Sequence, residues 1–332
     1  MKNLELSIVI PVLNEADELP ATLQSLARQK GVLFEVIIVD GGSTDSTCDN
    51  LSEIALPVTV VKSLKGRATQ LNNGAAAARG EFILFLHADS RFTGADALRK
   101  SIDQILLQGV NAAGHFQIRF RDYGSKDASG FAWLEKKAGV DRAGCAHGDQ
   151  GLLVQSRLFR ESSGFDESCQ IMAETRFADR MRQSGSWILL PAEISSSARR
   201  FNKEGFRERM TLNMLIMALA HADAEDILAK LPEAYSCQDC STKLDLLPLY
   251  RRIKGLIAAK GTAEQAKFWL KIGRYVCENA WQAALWLDWR YGGNKGRLVK
   301  VYDSYLHEFC QKEIIVRLAV VATRIWLRRV AR

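Results

Sequence analysis

No stretch of this 332-residue chain is apolar for long enough to cross a bilayer. The longest charge-poor helical run, Met210 to Ala222, is closed off by Arg209 and Asp223. It falls well short of the roughly 20 residues that a spanning helix needs. Nothing like a secretory signal precedes the strand-like segment after Met1-Lys2-Asn3-Leu4-Glu5. The seven cysteines are an odd set scattered from Cys48 to Cys310. They fit a reducing compartment, so a cytoplasmic protein is expected. One CxxC, Cys237-Gln-Asp-Cys240, stands without a second pair or a nearby histidine. A zinc site takes about four ligands, so the pair reads as a helix-to-helix turn. No GKS or GKT follows a glycine loop, and no GxGxxG occurs. Neither the Walker nor the dinucleotide fingerprint therefore applies. Internal repeats and low-complexity tracts are absent as well.

What is present is ample for a core: 47% of the residues are hydrophobic. The length suits one large domain with an appendage, or two domains. A net charge of +7 favours anionic partners such as nucleoside diphosphates or acidic lipid headgroups. The Lys and Arg residues are dispersed and carry no nucleic-acid motif, so nucleic acid is not an expected partner.

Strand and helix signals alternate through the first half. Leu6 to Asn14 is apolar and β-rich, Glu18 to Gln29 has helical periodicity, and Glu35 to Asp40 is a second buried strand that ends in an acid. Gly41-Gly42-Ser43-Thr44-Asp45 turns toward a helix, with Ser43 or Thr44 as the expected cap. Pro57 to Val61 reads as a third strand. The segment from Lys65 to Ser90 is the centre of the pattern. Gly66 and Arg67 open it as a basic, Gly-marked loop; Gln70, Asn73 and Ala77 share one side of the helix that follows, and the alanine run lets that helix lie close to a neighbour. Gly80 is expected to break it. Phe82 to Leu86 is a continuous apolar run, as in a strand buried on both faces, and ends at His87-Ala88-Asp89. Alternation at this spacing predicts a doubly wound, mostly parallel sheet. Ligands meet such sheets at the carboxyl ends of the strands, where Glu15, Asp40 and Asp89 should converge. Asp40 suits a base or ribose. Asp89 suits Mg2+ or Mn2+, which favour carboxylate and phosphate oxygens. Arg67 can fork onto a diphosphate. A carboxylate at a strand end can also be a helix cap and nothing more.

Ile8-Val-Ile-Pro-Val-Leu-Asn-Glu15, Val39-Asp-Gly-Gly-Ser-Thr-Asp45, Gly74 with Ala78-Arg-Gly80, and His87-Ala-Asp89 occur in order. Gly148-Asp-Gln150, Gly164-Phe165 and Ile171-Met172 follow them. Together they resemble a family 2 glycosyltransferase of the GT-A fold. The resemblance is nearest to the bacterial subgroup often labelled arsenosugar-biosynthesis-type glycosyltransferases, where GRA, HAD and GDQ recur. It covers residues 4 to 220.

The resemblance implies that Pro11, Glu15 and Asp40 line the nucleoside pocket, that Arg67 sits beside the diphosphate, and that Asp89 is the metal-binding acid. Gly148, Asp149 and Gln150 would face the acceptor and leaving group, and Asp149 joins Glu174 as a candidate catalytic residue. His87 takes the first place of the DxD-like segment. There it is either a ligand or a structural, hydrogen-bonding residue. The other departure is at Ala173-Glu174, where the family pattern has Glu-Asp with the Asp as general base. Either Glu174 is the base in an adjusted site, or the site is slow, altered or inactive. A third option is that Glu174 caps the helix that starts there.

Beyond residue 205 the chain reads as helices, with loops near 232–242 and 292–296. Trp269, Trp281, Trp286 and Trp289 are expected in a core. Glu313 to Arg332 forms an amphipathic helix that either docks on the protein or lies at a membrane surface. The expectation is an α/β GT-A-type domain over 1–220 and an all-helical region over 221–332. Its function would be metal-assisted, inverting transfer from a nucleoside-diphosphate sugar, a UDP-sugar by preference, to an acceptor that could be lipid-linked. The alternatives are a nucleotide-sugar-binding protein without transfer, or a scaffold that acts at the membrane through its basic tail.

Overall fold

A computed structural model describes residues 4–49, 51, 54–109, 111–168, 171–231, 243–291 and 296–330. The Cys237–Cys240 pair and most of both expected C-terminal loops lie outside the described residues. The chain divides into two compact units, Met1–Tyr123 with Leu134–Ala198, and Gly124–Trp133 with Arg199–Arg332.

The first unit is built on β1 (Leu6–Val12), β2 (Phe34–Asp40), β3 (Val58–Lys62), β4 (Phe82–Phe85), β5 (Arg91–Phe92), β6 (Ala112–Arg121), β7 (Leu152–Gln155) and β8 (Ser186–Ser197). They form one sheet in the order β3-β2-β1-β4-β7-β6-β8-β5. The half from β3 to β4 is parallel. The sheet is mixed beyond that: β7 runs antiparallel to β4 and to β6, whereas β6 and β8 are parallel. Apolar residues alternate across β1, and this builds two cores. On one face Leu6, Ile8, Ile10 and Val12 pack with Leu23 of α1 (Leu19–Ala27) and Ile102 of α3 (Ala97–Gln108). On the other, Val9 and Val39 pack with Leu71 of α2 (Arg67–Ala77) and Phe177 of α6 (Ala173–Ser184).

α2 lies close to the sheet because of Gly74, whose place would put a Cβ 2.2 Å from Val9 Cγ1 and 2.8 Å from Val39 Cγ2. The helix ends at Ala77, one residue before an extended Ala78 and ahead of Gly80. Gly80 serves another need: a Cβ there would stand 2.6 Å from the backbone of Leu6 and Ser7. The helix expected after Gly41–Asp45 is replaced by turns in the described residues. Ser43 and Thr44 bond across to Asn14 instead of capping. β8 is longer than its apolar run, Trp187 to Leu190, because it continues past Pro191. The β6–β8 register shifts there, so a residue without an N–H breaks no ladder bond.

The second unit is helical. Phe131 packs between Phe201 and Phe206, with ring centroids 5.3 and 5.0 Å away. Leu212, Leu219, Ile227, Leu249, Ile253, Phe268 and Ile272 form its core. Trp281 is buried and Trp269 packs partly against this core, but Trp286 is 42% exposed, against expectation. The final helix, Glu313–Val330, docks along Thr262–Glu278, where the missing side chain of Gly273 admits Val316 and Val320.

Candidate active site

The parallel register of β1, β2 and β4 brings three strand ends to one edge. Val12 pairs with Asp40, and Val9 with Phe85. Pro11 is buried within β1 opposite Val39, so it supports the edge from inside. The loops after β1 and β2 are stitched together. Asn14, in the left-handed conformation at φ 56°, accepts from Thr44 N at 2.8 Å and donates its own N–H to Ser43 Oγ at 3.0 Å. Glu15 N donates to Thr47 Oγ1 at 2.7 Å, and Thr47 is bonded in turn to Asp45. Asp40 Oδ1 accepts from Ser43 N at 2.8 Å and from Gly42 N at 3.2 Å, which fixes its carboxylate at the strand end. Gln70 of α2 donates to the carbonyls of both Val12 and Val39 at 2.9 Å, tying the two strand ends to the helix.

The His87-Ala-Asp89 segment is held through its backbone. Thr22 Oγ1 donates to Ala88 O at 2.6 Å, and Arg121 Nη1 donates to Asp89 O at 2.9 Å. Arg121 is itself set by Glu18 at 2.6 Å, which also meets Arg91 at 2.8 Å. Burial alone would raise the Glu18 carboxyl, but the two arginines outweigh it and hold it below its ordinary value. Sequence reasoning missed Glu18 and Arg121, and no local signal marks partners 103 positions apart.

Arg67, His87, Gly148 and Glu174 form one cluster. Arg67 is the first residue of α2, after Gly66 at φ 156°, and that helix end has no side-chain cap. A helix start of this kind presents first-turn N–H groups that favour an anion. Arg67 Nε donates to Glu174 Oε1 at 2.6 Å. His87 Nε2 is buried without a hydrogen-bond partner among the described residues and lies 3.7 Å from the same oxygen. The glycine at 148 is required by this packing: a Cβ would stand 2.5 Å from Glu174 Oε1 and 2.7 Å from His87 Nε2. Glu174 does not cap α6. The cap position belongs to Met172, which sits at φ 69°, an uncommon state for so large a side chain. Burial would push the Glu174 carboxyl up, but the Arg67 guanidinium and the neighbouring His87 together more than reverse this and hold it far below the usual carboxylate range.

Gly148–Gln150 is a single tight turn. Gln150, expected to face the acceptor, points inward: its Oε1 accepts from His147 N at 2.9 Å and its amide donates to Ala138 O at 3.0 Å. Asp149 is half-buried on the same turn. His147 Nδ1 lies 3.0 Å from Thr175 Oγ1, joining the turn to α6. An open groove of about 490 Å³ lined by Leu4, Arg79 and Arg160 lies at the opposite edge of the strands and contains none of these residues.

Among the described residues no three His, Cys, Asp or Glu side chains are grouped to hold a metal ion by themselves. Asp89 is half-buried at the strand edge. A divalent ion carried on a diphosphate asks one or two carboxylates of the protein, with phosphate oxygens and water completing its shell. Asp89 is a carboxylate of the kind such an ion asks for, and the described residues make no separate metal centre.

The chain is similar to known proteins over part of its sequence and in its fold. Residues 7–137 match the Glycosyl transferase family 2. Over 100 residues the chain is 42% identical to a PGL/p-HBAD biosynthesis glycosyltransferase of Mycobacterium bovis (strain BCG / Pasteur 1173P2), a stretch covering 28% of this chain and 39% of that protein. Over 89 residues it is 40% identical to an uncharacterized glycosyltransferase of Haemophilus influenzae, covering 26% of this chain and 30% of the relative. The matches thus span well under half the length of both relatives. Two solved structures share the fold. S. aureus TarS 1-349 in complex with UDP superposes with a TM-score of 0.50 at 17% identity, over 92% of each chain. The mannosyltransferase PcManGT from Pyrobaculum calidifontis in complex with GDP-Man and Mn2+ does so with 0.50 at 16% identity, over 98% of this chain and 88% of that one. The fold is GT-A, with a curled mixed sheet followed by helices.

Proposed function

We propose that this chain is an inverting glycosyltransferase, acting in the cytoplasm, that moves a sugar from a nucleoside diphosphate to an acceptor hydroxyl. The observation that carries the reading is the cluster of Arg67, His87, Gly148 and Glu174 beside the ends of β1, β2 and β4. Glu15 and Asp40 hold the nucleoside, and Pro11 supports their edge from inside β1. Arg67 and the uncapped start of α2 take the diphosphate. Asp89 holds Mg2+ or Mn2+, which when bound supplies Lewis-acid neutralisation of the departing diphosphate. Gly148 and Asp149 flank the acceptor, and Gln150 keeps their turn in shape. The acceptor oxygen bonds to the anomeric carbon from the face opposite the diphosphate. The carbon–oxygen bond to the diphosphate breaks, and the acceptor proton passes to Glu174.

The resting ion pair adds a condition. With Arg67 on Oε1, Glu174 is too weak a base for this work. A donor diphosphate competes for the guanidinium. Once Arg67 moves to it, burial raises the Glu174 carboxyl toward a useful range, with His87 left as the one partner that opposes the rise. Donor binding thereby arms the base. The same ion pair favours a second reading, a nucleotide-sugar-binding protein in which Arg67 never releases Glu174 and no transfer follows.

TarS is in complex with UDP and PcManGT with GDP-Man and Mn2+, so both bases are in range here. A UDP-sugar is preferred because Asp40 suits a pyrimidine edge. The likeness to arsenosugar-biosynthesis-type relatives, carried by GRA, HAD and GDQ, belongs to this reading and names no acceptor. Nucleoside diphosphate release from UDP- and GDP-sugars tests it. The expected result is slow Mn2+-dependent release that Asp89→Ala abolishes. Release that Asp89→Ala leaves at full rate would overturn the metal assignment, and bound donor without any release would favour the second reading.

A further inference from the structure

The final helix carries two apolar faces, and only one is covered. Val316 and Val320 face Gly273 of the neighbouring helix, and Arg324 lies over Trp269 at 5.2 Å. Ile314, Leu318, Val321 and Ile325 follow at intervals of four, three and four residues. That spacing sets them in one stripe along a helix. They are 67%, 60%, 55% and 46% exposed. Helical geometry places Arg317 and Arg328 along one border of the stripe and Arg329 along the other. Over the whole helix four arginines stand against one glutamate, Glu313, which pairs with Arg317.

We infer that this outward stripe is a docking surface for an anionic phospholipid bilayer. The helix lies in the headgroup plane, its stripe sunk into the acyl boundary and Arg328 and Arg329 on the phosphates. Three observations select this occupant. The stripe is continuous and apolar, so water is a poor solvent for it. Its borders are cationic, which complements anionic headgroups. A second copy of the chain is disfavoured, because it would bring two arginine-lined borders together. No helix among the described residues is long and apolar enough to cross a membrane, so the attachment is to the surface. The inference does not depend on the transferase reading, because it uses none of that site's residues.

The test is co-sedimentation of the full chain, without nucleotide, with vesicles of phosphatidylcholine alone or mixed with phosphatidylglycerol. Binding is expected to the mixed vesicles only and to weaken as salt rises. A basic residue near such a surface is worth about five-fold in partitioning, so Arg328→Ala with Arg329→Ala should lower binding about twenty-five-fold. Leu318→Asp with Ile325→Asp should lose it altogether. These side chains are exposed, so all variants should keep the wild-type melting temperature. Absence of binding to mixed vesicles, or equal binding by the Asp variant, would overturn the proposal. So would a dimer in solution that the Asp variant dissociates, which would make the stripe an interface between copies. Failure of the transferase reading would leave vesicle binding unchanged.

Discussion

Replacing Glu174 by Gln should tighten nucleotide binding, although it removes the proposed base. In the resting site Arg67 is held by Glu174 at 2.6 Å, with side chains 29% and 11% exposed. In the proposed reaction a donor diphosphate takes the guanidinium from that carboxylate. Glutamine keeps the shape and an accepting oxygen but not the charge, so the competition weakens. Exposed ion pairs are worth about 0.2–1 kcal/mol and breaking a buried one costs about 3–5 kcal/mol. This pair lies between the limits, and about 1–2 kcal/mol is a fair figure, or roughly five- to thirty-fold in the dissociation constant. The sign of the pH dependence follows from the depressed carboxyl. The ion pair is intact above the ordinary glutamate value of 4.5 and is lost as pH falls through the lower folded value. The affinity gap between variant and wild type should therefore stay flat from about pH 8 to about pH 5. Calorimetric titration of UDP or GDP with Mn2+ reads both quantities. Equal or weaker binding by Glu174→Gln would refute the exchange of Arg67 between carboxylate and diphosphate.

Gly148→Ala would drive a methyl against Glu174 Oε1 and His87 Nε2. A shift of about 1 Å at a reacting group can lower rate ~100-fold, so turnover should fall by that order while the melting curve holds. Asp89→Ala should remove the Mn2+ response of nucleotide binding and leave the fold intact, and calorimetry beside a thermal melt checks both. Gly74→Ala would overpack α2 against Val9 and Val39, and urea unfolding should show a loss of about 1–3 kcal/mol. His115 is buried, accepts from Trp187 Nε1 at 2.8 Å, and burial pushes its pKa from 6.5 down to about 4. Its neutral form is the one the fold favours. Stability should therefore fall as pH drops from 6.5 toward about 4, by up to about 3 kcal/mol. His115→Asn should flatten that slope in urea titrations.

The central strands were legible because burial on both faces writes continuous apolar runs: β1, β2 and β4 fall within a residue or two of Leu6 to Asn14, Glu35 to Asp40 and Phe82 to Leu86. Strand direction was not legible. Nothing in Leu152–Gln155 distinguishes an antiparallel β7 from a parallel one, because side-chain alternation is the same in both. The turn after β2 misled for a similar reason. Ser and Thr suit a helix cap and a cross-loop bond equally, and Asn14 supplied the second. At the site, each residue type was readable but its partner was not. Arg67 carries the charge a diphosphate wants, yet it rests on a carboxylate 107 positions away. Gln150 lies in a motif that reads as substrate-facing, but it braces the turn from inside.

The most direct test of a donor site at this sheet edge is calorimetric titration of UDP and GDP into the wild-type chain, with and without Mn2+. The account predicts binding of one nucleotide that strengthens with the ion. Binding of neither nucleotide, by protein shown to be folded, would contradict it.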